Sequence, residues 1–250
     1  MKNGKNTPDH PFCVDWIYKN TRLKEKHAIM LIKTLLNYAK LLQEHNTRYR
    51  LVGDASTHEF FYRHVFDSLK AVRFYEFAPG SLIIDIGSGA GFPGIPVKLY
   101  LDEVGIPAKL ISIESTQKKA AFQKIVSEEL EIKGIEVICC RAEEAARSDI
   151  RASGDVVLTR AVGGISSIIE MTMPLLKQGG SSLLYRGRDA ETELKSAEKA
   201  CEELGAKAKA IYPYRVDETQ PERKLVIIQK TRETPDKYPR RPGIPGKRPL

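Results

Sequence analysis

Short apolar runs alternate with amphipathic helical patterns along most of the chain, beginning near residue 79. Runs rich in β-branched residues predict seven strands, at 81–86, 109–113, 135–139, 155–159, 181–185, 208–212 and 224–229. Between strands, the segments 116–130 and 190–204 carry apolar side chains at helical spacing. This alternation predicts a mostly parallel sheet with helices on both faces.

The last two predicted strands are joined differently from the others. Only 11 residues separate Tyr212 from Lys224, and Pro213 and Pro221 are among them. Parallel neighbours need a crossover of a dozen or more residues, so we predict an antiparallel hairpin at the sheet edge. The predicted fold class is therefore α/β, a seven-stranded doubly wound sheet with a C-terminal antiparallel hairpin. That hairpin is typical of methyltransferases rather than of dinucleotide-binding domains.

The segments on either side of the sheet have their own patterns. Two amphipathic helices are predicted at 21–44 and 58–75. Residues 231–250 contain five prolines and six basic residues, which argues against a helix or a central strand there. We divide the chain into a flexible N-terminal arm (1–20), a helical N-terminal extension (21–76), a Rossmann-like domain (77–230) and a basic proline-rich tail (231–250).

The net charge of +8 is unevenly distributed along the chain. Residues 1–75 carry +6, residues 76–204 carry −5 and residues 205–250 carry +7. Basic flanks around an acidic centre are common in proteins that bind polyanions. A basic, solvated surface without a partner explains the same charge equally well.

Composition excludes several classes of protein. Hydrophobic residues make up 42% and charged residues 29%, as in ordinary globular proteins, and no apolar run approaches the roughly 18 residues of a membrane span. The first residues lack the apolar core of a secretory signal, and the four cysteines show no metal-ligand spacing. We therefore expect a cytoplasmic monomer with no membrane attachment and no bound metal.

A glycine-rich segment, residues 85–94, follows the first predicted strand and precedes a helix. Gly87, Gly89 and Gly91 allow a sharp turn and let a ligand approach free backbone N–H groups. Taken from Gly87, the spacing GxGxG after Asp85 suits S-adenosylmethionine, whose carboxylate needs those N–H groups and whose ammonium needs an acceptor such as Asp85. Taken from Gly89, the spacing GxGxxG matches the dinucleotide fingerprint, so NAD remains an alternative.

Three further strand ends fall on the same predicted edge of the sheet. Glu114 ends the second strand, where a carboxylate can bind the ribose hydroxyls of either cofactor. Ala142 and Glu143 follow the third strand, where the backbone is placed to contact the adenine. A helix start with acidic residues in its first turn would explain the same segment equally well. Arg160 ends the fourth strand at the border of the topological switch point, where it can hold the cofactor or a phosphate.

Several motifs together resemble one known family. They are RHVFDSL at 63–69, DIGSGAGFPGIP at 85–96, RAEE at 141–144, TRAV at 159–162 and KYPRRPGIPGKRPL at 237–250. These stretches resemble the bacterial ribosomal RNA small subunit methyltransferase G family, also called glucose-inhibited division protein B. The resemblance extends from about residue 36 to the C-terminus.

The resemblance implies a function and a set of site residues. Members of that family transfer a methyl group from S-adenosylmethionine to ring nitrogen 7 of one guanine in 16S rRNA, so the implied partner is that RNA or the small ribosomal subunit. The implied cofactor contacts are Gly87, Phe92, Ala142, Glu143 and Arg160. Guanine nitrogen 7 carries a lone pair and no proton, so the reaction needs no general base, and Arg63, His64 and Asp67 become candidates for positioning the base.

Two other functions stay open on the sequence alone. One is an NAD-dependent oxidoreductase that uses the shifted glycine register, and the other is a non-enzymatic RNA-binding or ribosome assembly factor. For the tail we predict contact with RNA, because prolines hold its cations in an extended chain. The alternative is that the tail packs back over the sheet.

Overall fold

The computed structural model describes residues 10–160 and 163–250, and within them the sheet has seven strands. They are β1 (Ser81–Ile86), β2 (Ala108–Ile113), β3 (Ile135–Ile138), β4 (Gly154–Arg160), β5 (Leu176–Arg186), β6 (Ala206–Tyr214) and β7 (Arg223–Lys230). Each overlaps a strand predicted from the apolar runs.

The strand order is β3-β2-β1-β4-β5-β7-β6. Strands β1 to β5 run parallel to one another, whereas β7 runs antiparallel to both β5 and β6. The predicted fold class and its C-terminal hairpin are confirmed. From β1, the strands β2 and β3 extend the sheet towards one edge, and β4 and β5 extend it towards the other, so the topological switch point lies between β1 and β4. Ligands of doubly wound folds bind beyond the carboxyl ends of the strands at such a point.

Helices of the sheet domain follow the predicted alternation. They are α6 (Gly94–Glu103), α7 (Gln117–Glu129), α8 (Ala142–Ala145), α9 (Ile165–Thr172), α10 (Ala190–Ser196) and α11 (Glu198–Leu204), and a 3-10 turn, Met173–Leu175, follows α9. The helix predicted at 190–204 is divided at Ala197. Among the described residues, no helix is both long enough and apolar enough to cross a membrane.

Helices ahead of the sheet extend closer to the N-terminus than predicted. They are α1 (His10–Asn20), α2 (Glu25–Tyr49), α3 (Thr57–Glu59), a π-helical segment (Phe60–Val65), α4 (Phe66–Ser68) and α5 (Lys70–Phe74). The segment predicted as an arm is helical over residues 10–20, and its first nine residues lie outside the described part of the chain. The helix is fixed because Cys13, Trp16 and Ile17 share one face and are buried.

Two layers of helices cover the two faces of the sheet. Side chains alternate along β1, so Ile83 packs into one apolar cluster while Ile84 and Ile86 pack into the other. The first cluster includes residues of α1, α2, α6 and α7. The second includes residues of α9, α10 and α11. The carboxyl edge of the parallel strands lies between these layers.

The C-terminal strap, residues 231–250, is folded onto the second layer. Tyr238 is buried in the apolar cluster on that side, and a short helix, α12 (Ile244–Lys247), forms near the end. The expectation of no helix in this segment is therefore wrong over one turn, which Pro245 tolerates because it stands in the first turn. Packing over the domain is the arrangement that the structure shows for this segment.

Candidate active site

The glycine loop between β1 and α6 is held in a conformation that requires glycine. Gly87, Gly89 and Gly91 have φ angles of +66°, +59° and +101°. A Cβ on Gly91 would overlap the hydroxyl oxygen of Tyr38, and would approach Cδ1 of Ile95 to 2.5 Å. The loop therefore turns tightly against α2 and α6, with backbone conformations that L side chains rarely adopt.

Buried polar side chains support this loop from below. Nε2 of Gln123, on α7, donates to Oγ of Ser88 and to the carbonyl of Gly89, both at 2.8 Å. Oγ of Ser112, on β2, donates to Oε1 of Gln123 at 2.5 Å. Sequence reasoning missed Gln123, although a glutamine between Phe122 and Val126 on the apolar face of α7 is an available signal of a buried polar partner.

Glu114 lies at the carboxyl end of β2, as predicted, and contacts the glycine loop directly. Its Oε2 accepts from the N–H of Gly89 at 2.8 Å, and its Oε1 accepts from the N–H of Thr116 at 2.7 Å. The carboxylate thus joins the loop to the start of α7. Its predicted contact with ribose hydroxyls stays a prediction.

Asp85, at the end of β1, lies buried beneath the start of α6. It is fully buried, and its Oδ2 accepts from the N–H of Gly94 at 2.7 Å, while its Oδ1 has no hydrogen-bond partner. Burial raises the pKa of this carboxyl to about 7. A Cβ on Gly94 would stand 2.7 Å from Oδ2, so Gly94 is required for this contact. Asp85 anchors the start of α6, and its predicted contact with the ammonium of S-adenosylmethionine stays a prediction.

A cleft opens at the carboxyl ends of β1, β2 and β3, and we call it the glycine-loop cleft. Its lining residues are Ile86, Gly87, Ile113, Ser115, Cys140, Arg141, Ala142, Glu143 and Met171. Three of the predicted cofactor residues, Gly87, Ala142 and Glu143, are therefore brought together from separate parts of the chain. The walls are apolar, with backbone polar groups and a charged rim, as is typical of small-molecule sites.

The side chain of Glu143 also fastens the C-terminal strap to the wall of this cleft. Its Oε1 accepts from the N–H of Gly243 at 2.8 Å, and its Oε2 is buried without a hydrogen-bond partner. At the start of α8, Oε2 of Glu144 accepts from the backbone N–H of the adjacent Arg141 at 2.9 Å. The side chain of Glu143 is thus held by Gly243, which lies 100 positions later in the sequence.

Arg160 gathers the predicted base-positioning residues into one cluster beyond the end of β4. Its Nη1 donates to the carbonyl of Arg63 at 2.9 Å and to Oδ2 of Asp67 at 3.1 Å. Its Nη2 lies 3.0 Å from Nδ1 of His64. Arg63, His64, Asp67 and Arg160 therefore form one site, which we call the arginine cluster. The motif residues Ala161 and Val162 lie outside the described residues.

The hairpin contributes two residues to this cluster that sequence reasoning missed. Asp67 is fully buried and accepts from the hydroxyl of Tyr214 at 2.8 Å, while the guanidinium of Arg223 lies 2.8 Å from its Oδ2. Tyr214 ends β6 and Arg223 begins β7, so an antiparallel hairpin places both at the edge where the parallel strands end. The predicted hairpin was the available signal. With Arg160, these contacts occupy both carboxylate oxygens of Asp67.

His64 is neutral in this environment. Burial and the guanidinium of Arg160 lower the pKa of His64 to about 3. A guanidinium cannot accept a hydrogen bond, so Nδ1 of His64 is the acceptor from Arg160 and its proton resides on Nε2. The imidazole stacks on Phe92 of the glycine loop, with ring centroids 4.5 Å apart and planes at 16°.

Phe92 packs the glycine loop against the arginine cluster and is not one of the residues that line the glycine-loop cleft. Besides His64, its ring contacts Tyr38 at 5.4 Å between centroids, and the guanidinium carbon of Arg160 lies 5.5 Å from its centre. A second cleft beside the cluster is lined by Asp67, Arg160, Tyr185, Arg186, Gly187 and Arg223. The glycine loop thus lines one cleft through Gly87 and contacts the arginine cluster through Phe92, a neighbouring arrangement that suits transfer of a group between two ligands.

Solved structures share this architecture. A SAM dependent methyltransferase from Aquifex aeolicus aligns with a TM-score of 0.51 and 15% identity, over 67% of this chain and 91% of that chain. TYW2 from P. horikoshii, in complex with MeSAdo, aligns with a TM-score of 0.51 and 13% identity, over 66% of this chain and 62% of that chain. At such low identity these similarities establish the fold alone.

Sequence comparison establishes the family. The family profile of rRNA small subunit methyltransferase G matches residues 31–225. A Ribosomal RNA small subunit methyltransferase G from Carboxydothermus hydrogenoformans is 39% identical over 227 residues, covering 90% of this chain and 93% of its own length. One from Staphylococcus aureus is 34% identical over 241 residues, covering 95% and 98%. The resemblance drawn from the motifs is confirmed, and the chain belongs to the rRNA small subunit methyltransferase G family.

Proposed function

We propose that this chain is an S-adenosylmethionine-dependent methyltransferase that methylates nitrogen 7 of a guanine in 16S rRNA. Family membership supports the reaction and the substrate. The structural observation that carries the proposal is the contact between Phe92 and His64, because it packs the loop whose Gly87 lines the glycine-loop cleft against the candidate base-positioning residues. Both lie at the carboxyl edge of the sheet, where such folds bind ligands.

The glycine-loop cleft fits the cofactor in shape and chemistry. Ile113 and Met171 supply apolar walls, and the left-handed turn at Gly87 leaves its backbone open to a ligand. Gly87, Ala142 and Glu143 would line the bound cofactor from both sides. S-adenosylmethionine supplies a methyl group on a sulfonium sulfur, which is already activated for transfer.

The arginine cluster positions the target guanine. Asp67 is buried and accepts from Tyr214, Arg160 and Arg223, so it is not available to remove a proton. The neutral His64 keeps its Nε2–H as a donor while Nδ1 is engaged by Arg160. Attack by guanine nitrogen 7 releases no proton at the start, so a cluster of donors without a free base matches the reaction.

The remaining properties follow from the same assignment. The substrate is small-subunit rRNA, as free RNA or in the particle, and the basic flanks of the chain favour its approach. We place the enzyme in the cytoplasm, where that RNA is made in bacteria, and we propose that it acts as a monomer.

The test is methyl transfer from labelled S-adenosylmethionine to 16S rRNA and to small subunits, followed by nuclease digestion and mass spectrometry. We expect 7-methylguanosine as the labelled product. Arg160→Ala should lower turnover because it removes the link between Asp67 and His64, whereas Lys124→Ala, an exposed change on α7, should not. A label in a different base, or no label, would overturn the proposal.

Ligand binding tests the cleft separately from turnover. S-adenosylmethionine at about 100 times its dissociation constant should stabilise the fold by about 2.7 kcal/mol, and NAD at the same concentration should not. Gly87→Val should abolish the effect, because it places a β-branched side chain at a φ of +66° in the cleft. Equal stabilisation by NAD would support the oxidoreductase alternative instead.

A further inference from the structure

Three arginine side chains line the second cleft, beside a single carboxylate. The arginines are Arg160 at the end of β4, Arg186 at the end of β5 and Arg223 at the start of β7, and the carboxylate is that of Asp67. Strand β5 is parallel to β4 and antiparallel to β7, so the sheet brings the three arginines to the edge where the parallel strands end. The topology therefore places positive charge in this cleft.

The positive charge exceeds the negative charge that pairs with it. Arg160 and Arg223 share Asp67, and both approach its Oδ2, at 3.1 and 2.8 Å. Arg186 pairs with Glu193, which does not line the cleft. Three guanidiniums thus pair with two carboxylates, and one positive charge is left without a counter-charge from these pairs. A half-buried charge of this kind is stabilised by an anion that enters from solvent.

Arg223 is the arginine best placed to receive such an anion. Its side chain is 28% exposed, and within the described residues Asp67 is the only side chain that forms an ion pair with it. A guanidinium carries five N–H donors in one plane, so Arg223 can bind Asp67 and still donate to a ligand. Across the cleft, a Cβ on Gly187 would meet no atom within 4 Å, so the space beside the arginines is open. Planar donors facing open space suit a phosphate, which accepts two parallel hydrogen bonds.

The position of the cleft indicates which phosphate it receives. Arg160 lines the cleft and also lies 3.0 Å from Nδ1 of His64, one of the candidate base-positioning residues. In a nucleotide a single sugar joins the base to the phosphate, so a guanine beside His64 and a phosphate in the cleft can belong to one nucleotide. Among the described residues, the second cleft and the glycine-loop cleft share no lining residue, which favours an RNA phosphate over the carboxylate of the cofactor.

We propose that the second cleft binds a backbone phosphate that flanks the target guanine, with Arg223 as its main ligand and Arg160 and Arg186 beside it. The inference rests on the proposed function and deepens it, since it names the part of the RNA that fixes the guanine in place. Phosphate contacts set the position of a nucleic acid without reading its sequence. The cleft thus orients the nucleotide, and Arg160 links that orientation to His64.

The first experiment changes the RNA and leaves the protein intact. Ligation produces 16S rRNA with a single methylphosphonate, which is uncharged, at one or the other of the two phosphates that flank the target guanosine. At least one of these RNAs should have a KM about 10- to 100-fold higher than unmodified RNA, as expected for the loss of one hydrogen bond to a charged group. The same KM for all three RNAs would overturn the inference.

The second experiment asks whether Arg223 makes that contact. Arg223→Gln should raise the KM for unmodified RNA by a similar factor and reduce the log–log salt slope of RNA binding by about 0.7. With the methylphosphonate RNA that responds, this variant should have the same KM as the wild-type protein, because the contact is already lost. A further rise in KM would show that the two changes act at different places and would overturn the assignment.

Two control variants separate loss of the contact from damage to the fold. Arg223→Lys keeps a positive charge beside Asp67 and should recover most of the affinity for RNA. Arg188→Gln changes an exposed arginine two positions beyond Arg186 and outside the cleft, and should keep the wild-type KM. The dissociation constant of S-adenosylmethionine should not change in any variant. Weaker cofactor binding by Arg223→Gln with an unchanged KM for RNA would assign the cleft to the cofactor carboxylate instead.

Ligand binding distinguishes failure of this inference from failure of the proposed function. Guanosine 5′-monophosphate should raise the unfolding temperature of the wild-type protein more than guanosine or inorganic phosphate does, and Arg223→Gln should abolish the difference. If this holds and no RNA is methylated, the phosphate site stands without the proposed reaction. If RNA is methylated and neither methylphosphonate raises the KM, the proposed function stands without the phosphate site. Equal stabilisation by inorganic phosphate and guanosine 5′-monophosphate would indicate a site for free anions and overturn the inference.

Discussion

The two ends of the chain pack against the sheet domain by different physical means. At the N-terminal end, α1 is held by apolar burial, with the ring of Trp16 stacked on Phe66 at 4.0 Å between centroids. At the C-terminal end, the strap is held largely by ion pairs and hydrogen bonds. Both ends are outside the sheet, and each supports a different half of the site.

The N-terminal attachment supports the arginine cluster. Phe66 precedes Asp67, so the packing of Trp16 on Phe66 fixes the helix that carries the cluster. A single hydrogen bond, from Nε1 of Trp16 to the carbonyl of Val216 at 2.8 Å, satisfies the indole. Apolar burial is not directional, so this contact tolerates changes of shape better than changes of volume.

The C-terminal attachment supports the glycine-loop cleft. Glu170, fully buried on α9, accepts from the backbone N–H and Nε of Arg240, both at 2.8 Å, and from its Nη2 at 2.6 Å. Arg151 donates to the carbonyls of Thr234 and Tyr238 at 3.1 and 2.8 Å. These bonds are directional, so the strap has one defined path across α8 and α9, and the loss of one partner leaves a buried charge.

The largest effect is expected on deleting the strap after Thr231. Glu143 and Glu170 would both lose their partners in the strap, and both are buried. One broken buried ion pair and one unsatisfied carboxylate together cost about 4–8 kcal/mol, which is comparable to the whole stability of a domain. Thermal unfolding with and without S-adenosylmethionine should show lower stability and weaker cofactor binding.

The same deletion tests whether the tail contacts RNA, as its composition predicted. If the strap served only to bind RNA, its loss would leave stability and cofactor affinity intact and would flatten the salt dependence of RNA binding. Arg241→Ala is the control, because Arg241 is exposed and should not alter folding. In the structure, Arg240 and Lys237 are paired with Glu170 and Glu203, which reduces the positive charge available for RNA.

The next effect concerns the N-terminal end. Trp16→Ala should cost about 3–5 kcal/mol in the free energy of unfolding, because it opens a cavity against Phe66. Urea unfolding should give the same loss at low and high salt, since no ion pair is broken. Tyr18→Ala, an exposed change on the same helix, should stay within about 0.5 kcal/mol of the wild-type protein. A loss for Trp16→Ala that shrinks in salt would contradict apolar attachment.

A smaller effect is expected for one bond of the strap. Glu170→Gln keeps the shape of the side chain but removes its charge and replaces one acceptor oxygen by an NH2 group that cannot accept from Arg240, at a cost of about 2–3 kcal/mol. Urea unfolding at two salt concentrations should show a loss that decreases with salt, unlike that of Trp16→Ala. Lys237→Ala breaks an exposed pair in the same strap and should leave unfolding unchanged.

The same contrast explains what the sequence could predict. The positions of the strands follow from apolar runs, and Cys13, Trp16 and Ile17 show helical spacing that would have predicted α1. Local patterns cannot reveal the partners of the strap, since Glu170 and Arg240 are 70 positions apart. Within the site, residues in the glycine motif were located from spacing, whereas Tyr214 and Arg223 reach Asp67 only through the folded hairpin.

The smallest expected effect is on the pH dependence of methyl transfer, and it concerns His64, which the N-terminal helices bring to the site. Because the pKa of His64 is lowered to about 3, its imidazole stays neutral throughout the range of methyl transfer. The pH profile of the single-turnover rate should therefore have the same shape in the wild-type protein and in His64→Gln between pH 6 and 8. A step near pH 6.5 that disappears in this variant would show that His64 titrates normally.

The stability of the fold should report the same lowered pKa with a definite sign. The unfolded chain binds a proton on His64 near pH 6.5 while the folded chain does not, so His64 destabilises the fold progressively as pH falls from about 6.5 towards 3. Asp85, with its pKa raised to about 7, acts in the opposite direction, since its folded form binds more protons between about pH 4 and 7. The wild-type protein and His64→Gln both contain Asp85, so the contribution of Asp85 cancels when their unfolding free energies are compared. The difference in unfolding free energy between them should shift in favour of the variant as pH is lowered from 7 to 4. A constant difference would mean that burial and the guanidinium of Arg160 do not hold His64 neutral.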